Sequence, residues 1–248
     1  MLVGQGMAAV VDAVTSVGQL AGAAPIVVGG LAVLTRLSSA HRATLDLDIV
    51  DRRSDGRPRQ LEILRGSPET TAAEPAAVMV PTRFGEVRVD VLEVNQSELD
   101  HPSDDAGDRL HAGSHAWAAD TATPVTISVL GSAREELARA STRIAEPGPL
   151  VAMKLQAIMD RGGAKAGTDL WDIIRLTLDP VAGRAALRQL ETLEARFAAD
   201  VVQHVDQWFR KKRDWSLDRL GEVTSASVSG DDLDLVAELL VGACLRAS

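Results

Sequence analysis

The sequence predicts an α+β protein, with a small mixed sheet flanked by helices in residues 1–145 and a helical part over 146–248. Three observations carry this prediction. Short apolar runs bounded by glycine or proline, such as PIVVGG, alternate with helical periodicities in the first part. After EPGP the periodicity is helical only. A hydrophobic content of 46% over 248 residues supplies a real core for one large domain or two modest ones, so disorder is not the expectation.

The elements follow in order. Met7, Val10, Val11, Val14 and Val17 recur at helical intervals and predict an amphipathic opening helix over 5–20. PIVVGG reads as a short buried strand entering a glycine turn, LAVLTRLSS as a helix, and TLDLDIV, residues 44–50, as a second strand. RQLEILRG predicts a short helix. AAVMVPT and EVRVDVLEV predict two strands around a turn at Gly85; in the second, Val87, Val89 and Val91 face one way and Arg88, Asp90 and Leu92 the other. Residues 96–120, with HPSDDAGDR, turn polar and predict a long loop, after which TPVTISVLG predicts a further strand. Helical spacing then runs over 150–160, 170–178, 185–213 and 231–246.

Composition narrows the function. A formal charge of −9 opposes broad binding of long duplexes, and 3% aromatics leave little for base stacking. The arginines at 36 and 42, the group Arg52, Arg53, Arg57 and Arg59, and the run RKKR at 210–213 read first as solvated faces. Cys244 is the single cysteine, which excludes an internal disulfide and a cysteine-built zinc site and points to a reducing, cytoplasmic setting. Between Asp12 and Arg36 no residue is charged, but Gln19, Pro25 and the glycine pair interrupt the span and no basic residue precedes it; neither a membrane span nor a leader is expected. The five histidines, His41, His101, His111, His115 and His204, lack metal-ligand spacing on a clear helix, and Trp171, Trp208 and Trp215 read as packing residues.

TLDLDIV carries the chemistry. In a strand, residues i and i+2 share a face about 6 to 7 Å apart, so Asp46 and Asp48 project side by side. Two carboxylates that close repel unless a cation sits between them, and Mg²⁺ with its oxygen ligands answers that need. Asp90, on the polar side of its strand, is the third candidate ligand and a candidate proton acceptor; Glu93 points the other way. Gly29 and Gly30, ahead of a helix, offer backbone N–H groups that phosphate oxygens can approach. His41 and Arg42 lie near enough in sequence to be candidate nucleotide contacts.

VVGGLAVLTRLSSAHRATLDLDIV resembles the signature of minimal nucleotidyltransferases of the AbiEii type, which include the MenT toxins: a glycine turn, a helix, then Thr-x-Asp-x-Asp, matched by Gly29, Gly30, Thr44, Asp46 and Asp48. A second block, AMKLQAIMDRGGAKAGTDLWDI, resembles the family's later helix with Lys154, Arg161, Lys165, Asp169 and Asp172. The resemblance covers residues 24–180 in pattern. It departs at the second glycine, where some relatives carry serine, and at Thr168, where a basic residue is usual. It implies a nucleotidyltransferase fold for 1–145 and a helical domain, 146–248, that contributes Lys154 to the nucleotide phosphates and Asp169 as its support, with Thr44, Arg161 and Asp172 at the nucleotide. The implied activity is Mg²⁺-dependent transfer of a nucleotide from an NTP to an acceptor hydroxyl, a tRNA 3′ end by analogy, in the toxin of a toxin-antitoxin pair with a cognate antitoxin partner. Two alternatives stand beside it: an adenylyltransferase acting on a small molecule such as an antibiotic, and a non-catalytic nucleotide-binding regulator.

Overall fold

The computed structural model describes residues 2–53, 58–74, 76–160, 163–224 and 226–246. In chain order the first part holds β1 (Leu2–Val3), α1 (Gln5–Ala21), β2 (Ile26–Val28), α2 (Gly29–Arg36), β3 (Asp46–Arg53), α3 (Gln60–Gly66), β4 (Thr71–Ala72), β5 (Ala77–Thr82), β6 (Gly85–Asn95), α4 (Gln96–Asp100), α5 (Ala106–Thr121), β7 (Thr123–Leu130) and β8 (Glu136–Ile144). The remainder is α6 (Pro147–Asp160), α7 (Gly163–Leu178), α8 (Ala182–Leu190), α9 (Ala195–Val205), a π-helical turn at Asp206–Lys211, α10 (Arg213–Val223) and α11 (Gly230–Cys244). The class is therefore α+β, and no helix of the described residues is long and apolar enough to cross a membrane.

The chain forms two units. One comprises the residues up to Thr35, Ser39–Gln96 and His115–Ala145; the other comprises Arg36–Ser38, Ser97–Ser114 and the chain from Glu146 onward. All eight strands of the described residues lie in the first unit, in one mixed sheet ordered β1-β7-β8-β2-β3-β6-β5-β4. Its centre is set by two crossovers. β2 runs antiparallel to β3 and parallel to β8, and β3 runs parallel to β6. The β3–β6 register pairs Leu47 with Val89 and Ile49 with Val91, all buried, and this apolar match fixes the alignment because a slip of one residue would turn each of them to the other face.

α1 packs across β5 to β8 through the heptad-like set anticipated from the sequence, with Met7, Val10, Val11, Val14 and Val17 buried. Each such valine contributes roughly 1.5 to 3 kcal/mol. Asp12 sits on the same helix at low exposure because Arg83 wraps it: Oδ1 accepts from Nε and Nη2 at 2.9 and 2.7 Å, and Oδ2 from the Arg83 backbone N–H at 2.9 Å.

Three sequence expectations need correction. Residues 96–120 are not a loop; they form α4 and α5. Asp105 Oδ1 accepts the N–H groups of Gly107 and Asp108 at 2.8 and 3.1 Å and so starts α5, while Arg109 pairs with Asp200 at 2.6 Å. The polar letters that suggested a loop are thus a helix start and an ion pair, and Leu110, Ala112, Ser114, His115, Ala116, Ala118 and Ala119 are buried. β8 was not anticipated, since Ala138 and Ala140 on its buried face have little strand preference. The run 185–213 breaks at 191–194 into α8, α9 and the π-helical turn, and α10 follows where no helix was expected.

In the helical unit, buried side chains of α6, α7, α8, α9 and α11, among them Leu155, Ile173, Leu176, Val201 and Leu240, form the core. Trp208 and Trp215 pack with ring centroids 5.6 Å apart, and Lys212 lies over both rings. With Arg210 on Asp206 and Arg213 on Asp234, most of the RKKR run is spent on internal contacts.

Candidate metal centre

The strand register brings the acids together. Asp48 of β3 stands opposite Asp90 of β6, and Asp46 is two residues back on the same face as Asp48. One carboxylate oxygen from each of Asp46, Asp48 and Asp90 lies within 4.8 Å of the other two, all three residues being half-buried. Such a set of hard oxygen donors fits a divalent cation. The sequence placed the two aspartates in a buried strand; they open the strand instead, on a face that remains partly exposed, which makes them reachable.

Neighbouring groups hold the acids in place. Thr44, buried, donates its hydroxyl to Asp46 Oδ1 at 2.7 Å. Gly29, at the start of α2, has φ +60°, and a Cβ there would stand 1.9 Å from Asp48 Oδ2. The Asp48 carboxylate therefore lies against the bare backbone of the turn, which no residue with a side chain would allow. A Cβ on Gly30 would meet Thr44 Oγ1 at 2.8 Å and Arg42 Nη2 at 3.0 Å. Both glycines are thus required by close approach, and the Arg42 guanidinium reaches the turn.

Arg88 is the residue that sequence reasoning left without a role. It lies two residues before Asp90 on the same strand face, and its Nε and Nη2 donate to the Asp90 carboxylate at 2.8 to 3.1 Å. This hydrogen bonding holds the guanidinium above its usual range; partial burial works the other way, and the charges of Asp90, Glu74 and Asp46 add to the rise. A cation thus already sits at the edge of the acid cluster, as the repulsion among three carboxylates requires. The signal was present in the sequence as the i, i+2 pair of Arg88 and Asp90.

No protein-family model matches the chain, and neither a curated protein nor a solved structure does. The site therefore stands on its own geometry.

The second block of candidate residues lies in the helical unit. Lys154 on α6 and Asp169 and Asp172 on α7 meet: Nζ is 2.5 Å from Asp169 Oδ1 and 3.0 Å from Asp172 Oδ2. The lysine side chain is 8% exposed and both aspartates are fully covered. Spacing of three on α7 puts the two carboxylates on one helix face, where a single ammonium serves both. Lys165 is exposed on α7, and Arg161 lies outside the described residues.

Proposed function

We propose that the sheet-bearing unit is a nucleotidyltransferase that transfers a nucleotide from an NTP to an acceptor hydroxyl. The observation that carries this reading is the meeting of Asp46, Asp48 and Asp90 in one cluster, with Asp48 packed against the Gly29 turn at the start of α2. Asp46, Asp48 and Asp90 would hold the divalent ion, with Mg²⁺ the natural occupant for oxygen donors; when bound, it supplies charge neutralisation at the reacting phosphate.

The chain's own groups account for the rest. The bare glycine turn lets the Asp48 carboxylate, Thr44 and the Arg42 guanidinium pack against its backbone, which gathers the acids and a cation at the start of α2. Thr44 keeps Asp46 in one orientation, which limits the reorganisation needed on binding. Asp90, whose carboxylate Arg88 holds, would either complete the ion's ligands or take the proton of the attacking hydroxyl. The acceptor oxygen then bonds to the α-phosphorus as the bond to pyrophosphate breaks. This chemistry depends on alignment and charge more than on covalent help.

The resemblance to AbiEii-type enzymes supports a tRNA 3′ end as acceptor, a toxin's role, and an antitoxin partner. Incubation with each α-labelled NTP, Mg²⁺ and total RNA tests the reading. Label on RNA from wild type and none from Asp48→Ala is the expected result. Label on neither RNA nor a panel of small hydroxyl compounds would remove the proposed activity, and label on small compounds alone would move it to a small-molecule adenylyltransferase.

A further inference from the structure

Asp46, Asp48, Asp90 and Arg88 form a two-by-two block on one face of the sheet. The register of β3 with β6 sets Asp46 against Arg88 and Asp48 against Asp90, and the two residues of each strand are two apart, so all four side chains share that face. Three carboxylates and one guanidinium therefore meet where three acids alone would repel. Arginines elsewhere on β3 behave differently. Arg52 and Arg53 do not form the solvated face expected of them, their side chains being only 21% and 18% exposed, and Arg57 of the same group lies outside the described residues. The Arg88 side chain is 41% exposed, so it changes rotamer without disturbing the core.

Arg88 and a divalent cation need the same oxygens. Nε of Arg88 lies 3.1 and 3.0 Å from the two oxygens of Asp90, and Nη2 donates to Oδ1 at 2.8 Å. Whether Asp90 completes a cation's ligands or takes a proton, that grip must loosen first. A guanidinium and a dication on one carboxylate repel across a few ångströms, and the repulsion falls as the guanidinium moves outward. Nη1 takes no part in the pairing with Asp90 and is not shut off from solvent. Phosphate oxygens are acceptors that suit the released group, because a guanidinium binds phosphate through the same two-donor edge with which it binds a carboxylate. A polyphosphate brought beside three carboxylates needs positive charge from the chain as well as from the ion, and Arg88 holds that charge within the block.

We infer that Arg88 is an exchangeable counter-ion: it occupies Asp90 until a divalent cation binds the acids and then passes to the phosphates of the incoming nucleotide, so that cation and polyphosphate bind cooperatively. This rests on the nucleotidyltransferase reading in one respect, that a polyphosphate lies beside the acids. The coupling is reciprocal. A cation that takes Asp90 frees the guanidinium for phosphate, and a phosphate that holds the guanidinium keeps Asp90 open to the cation by the same factor.

Calorimetry with Mn²⁺ and inorganic tripolyphosphate, a probe that needs no choice of base, tests the exchange. Arg88→Gln is expected to bind Mn²⁺ alone several-fold more tightly than wild type, and to bind tripolyphosphate at saturating Mn²⁺ about tenfold more weakly. The two shifts have opposite signs, which neither a structural role nor plain competition produces. Weaker binding of both probes would make Arg88 a support of the acids, and tighter Mn²⁺ binding with unchanged or tighter tripolyphosphate binding would make it a competitor only. Either result, or unchanged Mn²⁺ binding, overturns the inference. Arg88→Lys keeps the charge without the fork and is expected to fall between the two proteins in both titrations. It carries the test should the glutamine variant fail to fold, and values equal to wild type in both titrations would then overturn the exchange. Opposite shifts in a protein that labels no acceptor leave the exchange standing while the transfer reading fails; labelled RNA with shifts of one sign does the reverse. Absence of Mn²⁺ binding in wild type removes both.

Discussion

A methyl group added at Gly29 meets two obstacles at once: a positive φ that L-residues avoid, and the Asp48 carboxylate. Gly29→Ala is therefore expected to lower stability by about 1 to 3 kcal/mol in urea denaturation and to weaken Mn²⁺ binding by pushing Asp48 aside. Arg88→Gln works in the other direction. Removing the guanidinium from Asp90 takes a competing cation away from the cluster, so Mn²⁺ affinity in calorimetry is expected to rise several-fold; a fall would show that Arg88 supports the site rather than competes for it. The acid cluster was legible in the sequence because strand alternation alone puts Asp46, Asp48 and Asp90 on polar faces, and the glycine pair marks the turn. Arg88 was visible on the same face, but whether it pairs with Asp90 or points to solvent is decided by rotamer and neighbours, which periodicity does not carry.

At the scale of helices and strands, the Lys154 cluster ties α6 to α7. Lys154→Ala removes the ammonium that Asp169 and Asp172 share in a covered site, and a loss of about 3 to 5 kcal/mol is expected in thermal or urea unfolding. Cys244, buried on α11, has its thiol pushed up to about 11 by burial, so alkylation at neutral pH is expected to be slow in the native protein and fast once urea unfolds it. Elements with strong periodicity were readable: α1 from its valines, β6 from its alternation, α3 from its short apolar face. α5 and β8 were not, because both are built from alanine with polar neighbours. Their identity rests on tertiary partners such as Asp200 for Arg109, and on strand neighbours that pair with β8.

Across the molecule, acid sensitivity follows from carboxylates that folding holds charged. Burial alone would raise Asp179, but the Ser38 hydroxyl and the N–H groups of Ala182, Val181 and Ser38 outweigh it and bring the carboxyl from 3.8 to about 2. Asp12 is likewise lowered, its burial outweighed by Arg83, and Asp232 is lowered by the Ser229 N–H and hydroxyl. A depressed folded value means stability present above the unfolded value and lost as pH falls toward the folded one. The urea midpoint is expected to drop between 3.8 and about 2, and Asp179→Asn to flatten that drop.

β3 has a further consequence. Its eight residues carry carboxylates at one end and guanidiniums at the other on a single rod clamped between β2 and β6. Deleting one residue between Asp48 and Arg52 would turn the guanidinium end by half a turn relative to the acids, so the length of this strand is fixed by the chemistry at both its ends.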